Sequence, residues 1–378
     1  MSKLGTELTI KGMHLRNRLV LPPITGNYAS TDGEVTPELI GFYRQRARQV
    51  GLAIVEAAAV RGDGRITPRS LGIWHDGQLP GLRELAGAIK AEGAAAVIQL
   101  GHAGAGSVPV DGGIKGASPS GVRTKEGNEA TALSTEQIAE IRVDFVAAAL
   151  RAKAAGFDGV EIHGAHLYLL SQFMSPLTNQ RTDGYGGDLR RRMALPLEVV
   201  RGIRGQAGDD FVILFRMNTV EMIEGGMTVA DAGNVAMLLE DAGVDVIHAS
   251  LVAQGDWIED DMGRFLTSSS RLAKERPFGA NLANVARVTA MVGVPVIAVG
   301  KCADSGVAEQ ALADGVSDMI AIGRQMIADP KAPEKLIAGR DDEIVRCTEC
   351  MGCFACIGKG RPVVCSVNKN PTGEPEYA

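Results

Sequence analysis

The chain has 378 residues, a net charge of −6 and 45% hydrophobic residues, which fits one large domain with an appendage. The charge is spread along the chain without a basic stripe, so we expect no nucleic-acid partner. Residues 1–7 contain no signal-peptide core and no run approaches the roughly 18 apolar residues that span a membrane, so we expect a soluble, cytoplasmic protein without a membrane partner.

Short apolar runs alternate with amphipathic stretches along most of the chain. The runs predict eight strands, at 18–22, 53–57, 96–99, 159–162, 212–216, 245–248, 296–299 and 319–322. The stretches predict helices at 36–49, 82–92, 134–155, 189–204, 229–242, 282–291, 304–313 and 324–337. Strands that are apolar throughout are typical of a parallel sheet buried on both faces.

The alternation leaves two α/β architectures to compare, an open doubly wound sheet and a closed barrel. The Gly-rich turn after the first strand that marks a doubly wound sheet is absent, so eight strands favour a (β/α)8 TIM barrel. Residues 8–15 predict a hairpin over the amino-terminal mouth of the barrel. The composition changes near residues 339–342, so we predict a barrel over 1–340 and a cysteine-rich segment over 341–378.

Polar residues follow several of the predicted strands. In this fold the chemistry lies at the carboxyl ends of the strands, where Thr25, Gln99, His163, His166 and Arg216 would converge. A fixed charge on the apolar fifth strand needs an anionic or strongly dipolar partner. A flavin ring offers one at its N1–C2=O side, and a structural ion pair with a neighbouring strand is the alternative.

The seventh and eighth strands end in Gly300-Lys301 and Gly323-Arg324. The loops after these two strands are the usual phosphate site of the fold, because glycine lets backbone N–H groups approach and arginine adds a charged contact. The alternative is that both glycines merely permit tight turns. The pair of positions favours phosphate binding.

His163 and His166 are three residues apart, with Tyr168 close behind. Two imidazoles donating to one carbonyl oxygen would stabilise the enolate charge that forms when hydride adds to an enone. The phenol of Tyr168 suits a general acid toward the α-carbon. A metal site that adds His102 is the alternative, but it lacks a convergent carboxylate pattern.

The cysteines are concentrated near the carboxyl terminus. Cys347, Cys350, Cys353 and Cys356 form a C-x2-C-x2-C-x2-C run, and Cys365 follows. Clustered thiolates indicate metal binding and not a disulfide framework. An iron–sulfur cluster and a four-thiolate zinc site both fit this spacing, and five cysteines for four positions leave one over.

Several short motifs occur in a fixed order: Arg16-Asn17-Arg18, Pro22-Pro23-Ile24-Thr25, Asp63-Gly64-Arg65, Gln99-Leu100-Gly101-His102-Ala103-Gly104, Val160-Glu161-Ile162-His163, Leu177-Thr178-Asn179, Tyr185-Gly186-Gly187 and Ile322-Gly323-Arg324. Together they resemble the old yellow enzyme-like NADH:flavin oxidoreductases. The cysteine tail resembles the iron–sulfur branch of that family, which includes 2,4-dienoyl-CoA reductase and trimethylamine dehydrogenase.

The resemblance implies a role for each matching residue. The FMN contacts would be Pro23, Ile24, Thr25, Ala57, Gln99, Arg216, Gly300, Gly323 and Arg324. His163 and His166 would anchor the substrate, Tyr168 would donate the proton, and Tyr28 would line the substrate pocket. The ligands of a [4Fe-4S] cluster would be Cys347, Cys350, Cys353 and Cys365, whereas Cys356 departs from the family pattern.

The resemblance therefore implies an FMN-dependent ene-reductase that passes hydride from reduced flavin to an activated C=C of an enone or enoyl substrate. The alternatives are an amine dehydrogenase or demethylase and a barrel subunit of an electron-transfer complex. Longer relatives continue into an FAD- and NAD(P)H-binding half. Within residues 1–378, either NAD(P)H reduces FMN directly or a separate electron-donor protein acts through the cluster. Whether the chain forms a homo-oligomer is left open by the sequence.

Overall fold

A computed structural model describes residues 2–108, 116–123, 130–260 and 263–373. Its strands are β1 (Leu8–Ile10), β2 (Met13–Leu15), β3 (Leu19–Leu21), β4 (Leu52–Ala59), β5 (Ala95–Gly101), β6 (Ala117–Ser118), β7 (Thr131–Ala132), β8 (Gly159–Gly164), β9 (Val212–Glu221), β10 (Val246–Val252), β11 (Gln254–Asp260), β12 (Gly263–Ser269), β13 (Val296–Val299) and β14 (Met319–Ala321). Its helices are α1 (Pro37–Ala47), α2 (Leu79–Ala91), α3 (Thr135–Ala154), α4 (Leu169–Met174), α5 (Leu189–Arg192), α6 (Ala194–Ala207), α7 (Val229–Asp241), α8 (Leu282–Thr289), α9 (Ser305–Ala313), α10 (Arg324–Ala328), α11 (Ala332–Ile337) and α12 (Gly352–Gly358).

The predicted barrel is confirmed. Within the described residues, eight parallel strands close in the order β3-β4-β5-β8-β9-β10-β13-β14, and β14 pairs with β3. Each of the eight predicted strands is a barrel strand. The closed sheet rules out the open doubly wound alternative, and all strand ends therefore lie around one rim.

The predicted hairpin is β1 paired with β2 in antiparallel fashion. Its buried Ile10, Met13 and Leu15 belong to one apolar cluster with barrel residues such as Val20 and Leu52. That cluster fills the amino-terminal end of the barrel. The hairpin thus closes the end opposite the strand ends where the polar residues lie.

The helices differ from prediction mainly at interruptions and in the loops. The stretch 189–204 forms two helices, α5 and α6, and the stretch 324–337 forms α10 and α11. Pro330 explains the second break, because the residue before a proline is disfavoured in the helical region. Sequence periodicity also missed the short helix α4, the β11–β12 hairpin and α12, which are too short or too polar for a periodic signal. Among the described residues, no helix combines the length and apolar character needed to cross a bilayer.

The carboxyl-terminal segment packs against the barrel near α1. Arg46, whose side chain is fully buried, donates from Nε to the Met326 carbonyl at 3.0 Å and from an Nη to the carbonyls of Phe42 and Pro371, each at 2.8 Å. Burial lowers the pKa of Arg46 to about 9. One guanidinium thus connects α1, α10 and the residues after the cysteines. The boundary predicted at 340/341 stays a prediction, and residues 1 and 374–378 of the two predicted parts lie outside the described residues.

We expect Arg46→Met to destabilise the protein and to release this segment, because buried carbonyls lose their donor. The free energy of unfolding in urea should fall by about 2–4 kcal/mol. Limited proteolysis should cut the carboxyl-terminal segment faster. Arg48→Met, which removes an exposed arginine paired with Glu92, should change neither measurement; equal behaviour of the two variants would contradict the role of Arg46.

Candidate active site

A cavity of about 590 Å³ lies at the carboxyl ends of the barrel strands, within the size range of small-molecule and cofactor sites. Its lining contains nine residues predicted for FMN: Pro23, Ile24, Thr25, Ala57, Gln99, Arg216, Gly300, Gly323 and Arg324. It also contains His163, His166 and Tyr168. The structure therefore brings these residues together around one space, while their roles stay predictions. Of the loops after the strands, 61–70 is described in full, whereas 105–126 and 253–276 include residues outside the described part of the chain.

Tyr28, predicted to line the substrate pocket, lies under the carboxyl-terminal segment. Its side chain is buried, its hydroxyl donates to the Val363 carbonyl, and it is not among the described residues that line the cavity. The next residue back, Asn27, donates to the Arg361 carbonyl at 3.0 Å. Tyr28 thus holds the carboxyl-terminal segment against the barrel, and its position gives no support to a substrate role.

Arg216 ends the apolar part of β9 and carries a buried Nε without a hydrogen-bond partner among the described residues. The carboxylate that interacts with its charge is that of Glu161, on the neighbouring strand β8. Both Glu161 oxygens are engaged, one by Gln99 Nε2 at 2.7 Å and the other by His248 Nδ1 at 2.6 Å. The arginine therefore keeps bonding capacity toward the cavity. Glu161 and His248 were not singled out from the sequence, although polar residues within apolar strands were a visible signal.

His163 and His166 lie at the end of β8 with their ring centroids 5.3 Å apart. His163 Nδ1 accepts from the Ala165 N–H at 3.3 Å, so in the neutral ring the proton is on Nε2. His166 Nε2 lies 2.7 Å from the Ser250 hydroxyl. Burial, and then the charge of Arg216, hold the pKa of both imidazoles well below the ordinary value. The pair is therefore neutral near pH 7 and can donate hydrogen bonds without adding charge.

A strained turn positions this pair and Tyr168. His166 and Leu167 have φ values of 61° and 57°, in the left-handed region that non-glycine residues rarely adopt. The turn is held by the His166 N–H, which donates to Asn218 Oδ1 at 3.0 Å, and by the Leu167 N–H, which donates to Ser171 Oγ at 3.2 Å. The Tyr168 ring then lies 5.0 Å from the ring of His163. Such strain is typical of functional sites.

The part of the cavity lined by the loops after β13 and β14 is cationic. Gly300 has a φ of 134°, and a Cβ there would lie 2.8 Å from Asn281 Cβ, so the position requires glycine. Lys301 Nζ lies 3.1 Å from Glu349 Oε1, and an Arg324 Nη lies 3.6 Å from Glu349 Oε2. Glu349 comes from the cysteine segment, and nothing in its sequence context predicted this position.

A second, small cavity is lined by Cys347, Cys350, Cys353 and Cys365, the four predicted ligands, and not by Cys356. Cys347 and Cys353 also line the large cavity. Burial raises the pKa of both thiols, whereas a hydrogen bond with Ser366, with the two heavy atoms 3.2 Å apart, lowers the pKa of Cys350 to about 7. In the described part of the chain, no three His, Cys, Asp or Glu side chains are arranged to hold a metal ion, so the cluster stays a prediction.

The alternative metal site with His102 is not formed in the described residues. His102 is buried away from the cavity lining, and its Nδ1 accepts from the Gly104 N–H at 3.0 Å. Burial lowers the pKa of His102 to about 4. This histidine therefore shapes the loop after β5.

A closed parallel barrel with convergent polar side chains at the carboxyl ends of its strands defines a (β/α)8-barrel enzyme. The sequence matches the model of the NADH:flavin oxidoreductase / NADH oxidase family over residues 3–343. The chain belongs to this family, which confirms the predicted family.

Individual relatives agree with this assignment. A protein named NADH oxidase from Thermoanaerobacter brockii is 40% identical over 93% of this chain, which spans 53% of that protein. An NADPH dehydrogenase from Halalkalibacterium halodurans is 38% identical over 88% of this chain and 93% of its own length. The solved structure of a 2-naphthoyl-CoA reductase covers all of this chain with a TM-score of 0.91 at 28% identity, and the chain covers 58% of it.

The buried histidines predict how stability depends on pH. An unfolded His102 takes up a proton near pH 6.5, whereas the folded residue stays neutral down to about pH 4. Unfolding near pH 5 therefore takes up close to one proton at this residue, and stability falls as the pH drops through this window. His102→Asn should reduce the number of protons taken up on unfolding by nearly one between pH 6 and 4.5. This number is read from the slope of the unfolding free energy against pH, with each free energy measured by urea titration. An unchanged slope would contradict the burial of a neutral imidazole.

Proposed function

We propose that this chain is an FMN-dependent ene-reductase that uses NAD(P)H to reduce the activated C=C of an enone or enoyl compound. The observation that carries the proposal is the polarity of one cavity. Arg216 offers an unpartnered Nε on β9, while the neutral pair His163 and His166 and the phenol of Tyr168 line the same space.

The described residues fit FMN. Gln99 on β5 and Arg216 on β9 both line the cavity and suit the pyrimidine edge of a flavin, which would offer an acceptor to a guanidinium with an unpartnered Nε. Thr25 and Ala57 line the same cavity. Lys301 and Arg324 supply two cations for the phosphate beside Gly300 and Gly323. FMN, when bound, supplies hydride transfer between NAD(P)H and the alkene.

The remaining side chains act on the substrate. His163 and His166 would donate to its carbonyl oxygen, and two preorganised neutral donors stabilise the negative charge that this oxygen gains. A pKa held well below the ordinary value keeps these rings neutral through the working range. Tyr168, beside His163, would deliver the proton to the α-carbon.

We further propose that Cys347, Cys350, Cys353 and Cys365 hold a [4Fe-4S] cluster. Their support is the small cavity they share, from which Cys356 is absent. Cys347 and Cys353 lie between this cavity and the flavin cavity. A cluster there would exchange single electrons with the flavin. A separate donor protein could then reduce the flavin through the cluster, in place of NAD(P)H.

The enone step can be tested by stopped-flow reoxidation of the dithionite-reduced protein with 2-cyclohexenone. Tyr168→Phe should slow reoxidation by about 10²-fold or more while leaving the affinity for the enone within a few-fold, because only protonation is lost. Tyr185→Phe removes a phenol that bonds Glu198 outside the cavity and should leave the rate unchanged. No acceleration by the enone in the unmodified protein would refute the proposal, and bleaching of the oxidised flavin by alkylamines would favour the amine dehydrogenase instead.

The cluster can be tested on protein purified without oxygen, by absorption spectrum and by iron and sulfide assay. We expect about four irons per chain, consistent with cysteine-ligated clusters of this type. Cys365→Ser should lose most of the iron, whereas Cys356→Ser should retain it. Zinc in place of iron, or equal loss in both variants, would show that the ligand set is wrong.

A further inference from the structure

The negative charge of Glu349 is unexpected at its position in the cavity lining. Among the described residues that line the large cavity it is the one carboxylate, and it shares that lining with five cations: Arg216, Arg271, Lys301, Arg324 and Arg346. A cavity built to receive a phosphate gains nothing from a resident anion. The carboxylate therefore requires an explanation beyond the proposed reaction.

The position of this carboxylate is specific. Its two oxygens contact the two cations that flank Gly300 and Gly323, Oε1 at 3.1 Å from Lys301 Nζ and Oε2 at 3.6 Å from an Arg324 Nη. The Lys301 side chain is 8% exposed and that of Arg324 is 24% exposed, so these pairs are screened less than those of an open surface. Glu349 thus pairs with both cations that the proposed function assigns to the phosphate.

The backbone of Glu349 connects the same residue to the cysteines. Glu349 lies two residues after Cys347 and directly before Cys350. Its φ is 55°, and that of Met351 is 64°, both in the left-handed region that non-glycine residues rarely adopt. The ion pairs therefore help to hold a strained turn between Cys347 and Cys350.

We propose that Glu349 substitutes for the phosphate when the flavin is absent, and that the phosphate of FMN displaces it from Lys301 and Arg324. Displacement frees the turn at Cys347–Cys350, so that occupancy of the phosphate site and the conformation of the cysteine segment are linked. By reciprocity, a cysteine segment held in its flavin-bound conformation binds FMN more tightly. The inference rests on the proposed FMN function but goes beyond it.

The first test is the affinity of the flavin-stripped full chain for FMN and for riboflavin, which lacks the phosphate, measured by flavin fluorescence quenching. Glu349→Gln should bind FMN about three- to tenfold more tightly, because one competing carboxylate is removed from two partly buried ion pairs. Its affinity for riboflavin should stay within twofold. Glu343→Gln, on the same segment but paired with the exposed Arg340, should alter neither.

Glu349→Gly separates the lost charge from an altered fold, because glycine adopts this φ freely. It should tighten FMN binding as Glu349→Gln does. Hydrogen exchange of peptides covering residues 347–350 supplies the second readout. FMN, but not riboflavin, should raise exchange there in the unmodified protein, and this FMN-specific change should be missing in both Glu349 variants.

The outcomes separate the two proposals. If the unmodified chain binds FMN more tightly than riboflavin and both Glu349 variants leave that preference unchanged, displacement is wrong and the FMN function stands. Equal gains for FMN and riboflavin would also overturn displacement. If the unmodified chain binds neither flavin, both proposals fail.

Discussion

Closure of the barrel is the constraint on which the rest of the structure depends. Strands that are buried on both faces consist mostly of apolar side chains, and the hairpin β1–β2 fills the amino-terminal end. The polar groups that open on the cavity therefore lie toward the carboxyl ends of the strands. This is why residues from Thr25 to Arg324, far apart in sequence, line one cavity.

Inside that rim, a small polar network sets the charges. Glu161 is shared by Gln99 and His248, which leaves Arg216 as a cation facing the cavity with spare bonding capacity. The same arginine, together with burial, lowers the pKa of the histidine pair. One buried charge thus has two effects: it presents a cation to the cavity, and it adds to the burial that keeps the neighbouring imidazoles neutral.

The sequence predicted the features that arise from repeated patterns. Apolar runs located the eight strands. Strand-end position and the family resemblance together named twelve residues that line one cavity, because the fold fixes where strand ends lie. It could not predict contacts made across long separations. The Tyr28 hydroxyl meets Val363, and Glu349 meets Lys301, through packing of the carboxyl-terminal segment. Cysteine spacing likewise left one of the five clustered cysteines over, and the choice of ligands stays a prediction.

The filled amino-terminal end has a kinetic consequence. β1 and β2 close the amino-terminal end of the barrel, so under the proposed function a dinucleotide and an alkene acceptor would both have to approach the flavin from the rim and compete for the same cavity. Each would then have to leave before the other binds. The chain would carry its two electrons across an interval in which neither partner is bound, so turnover would follow a double-displacement order with each reactant inhibiting competitively against the other.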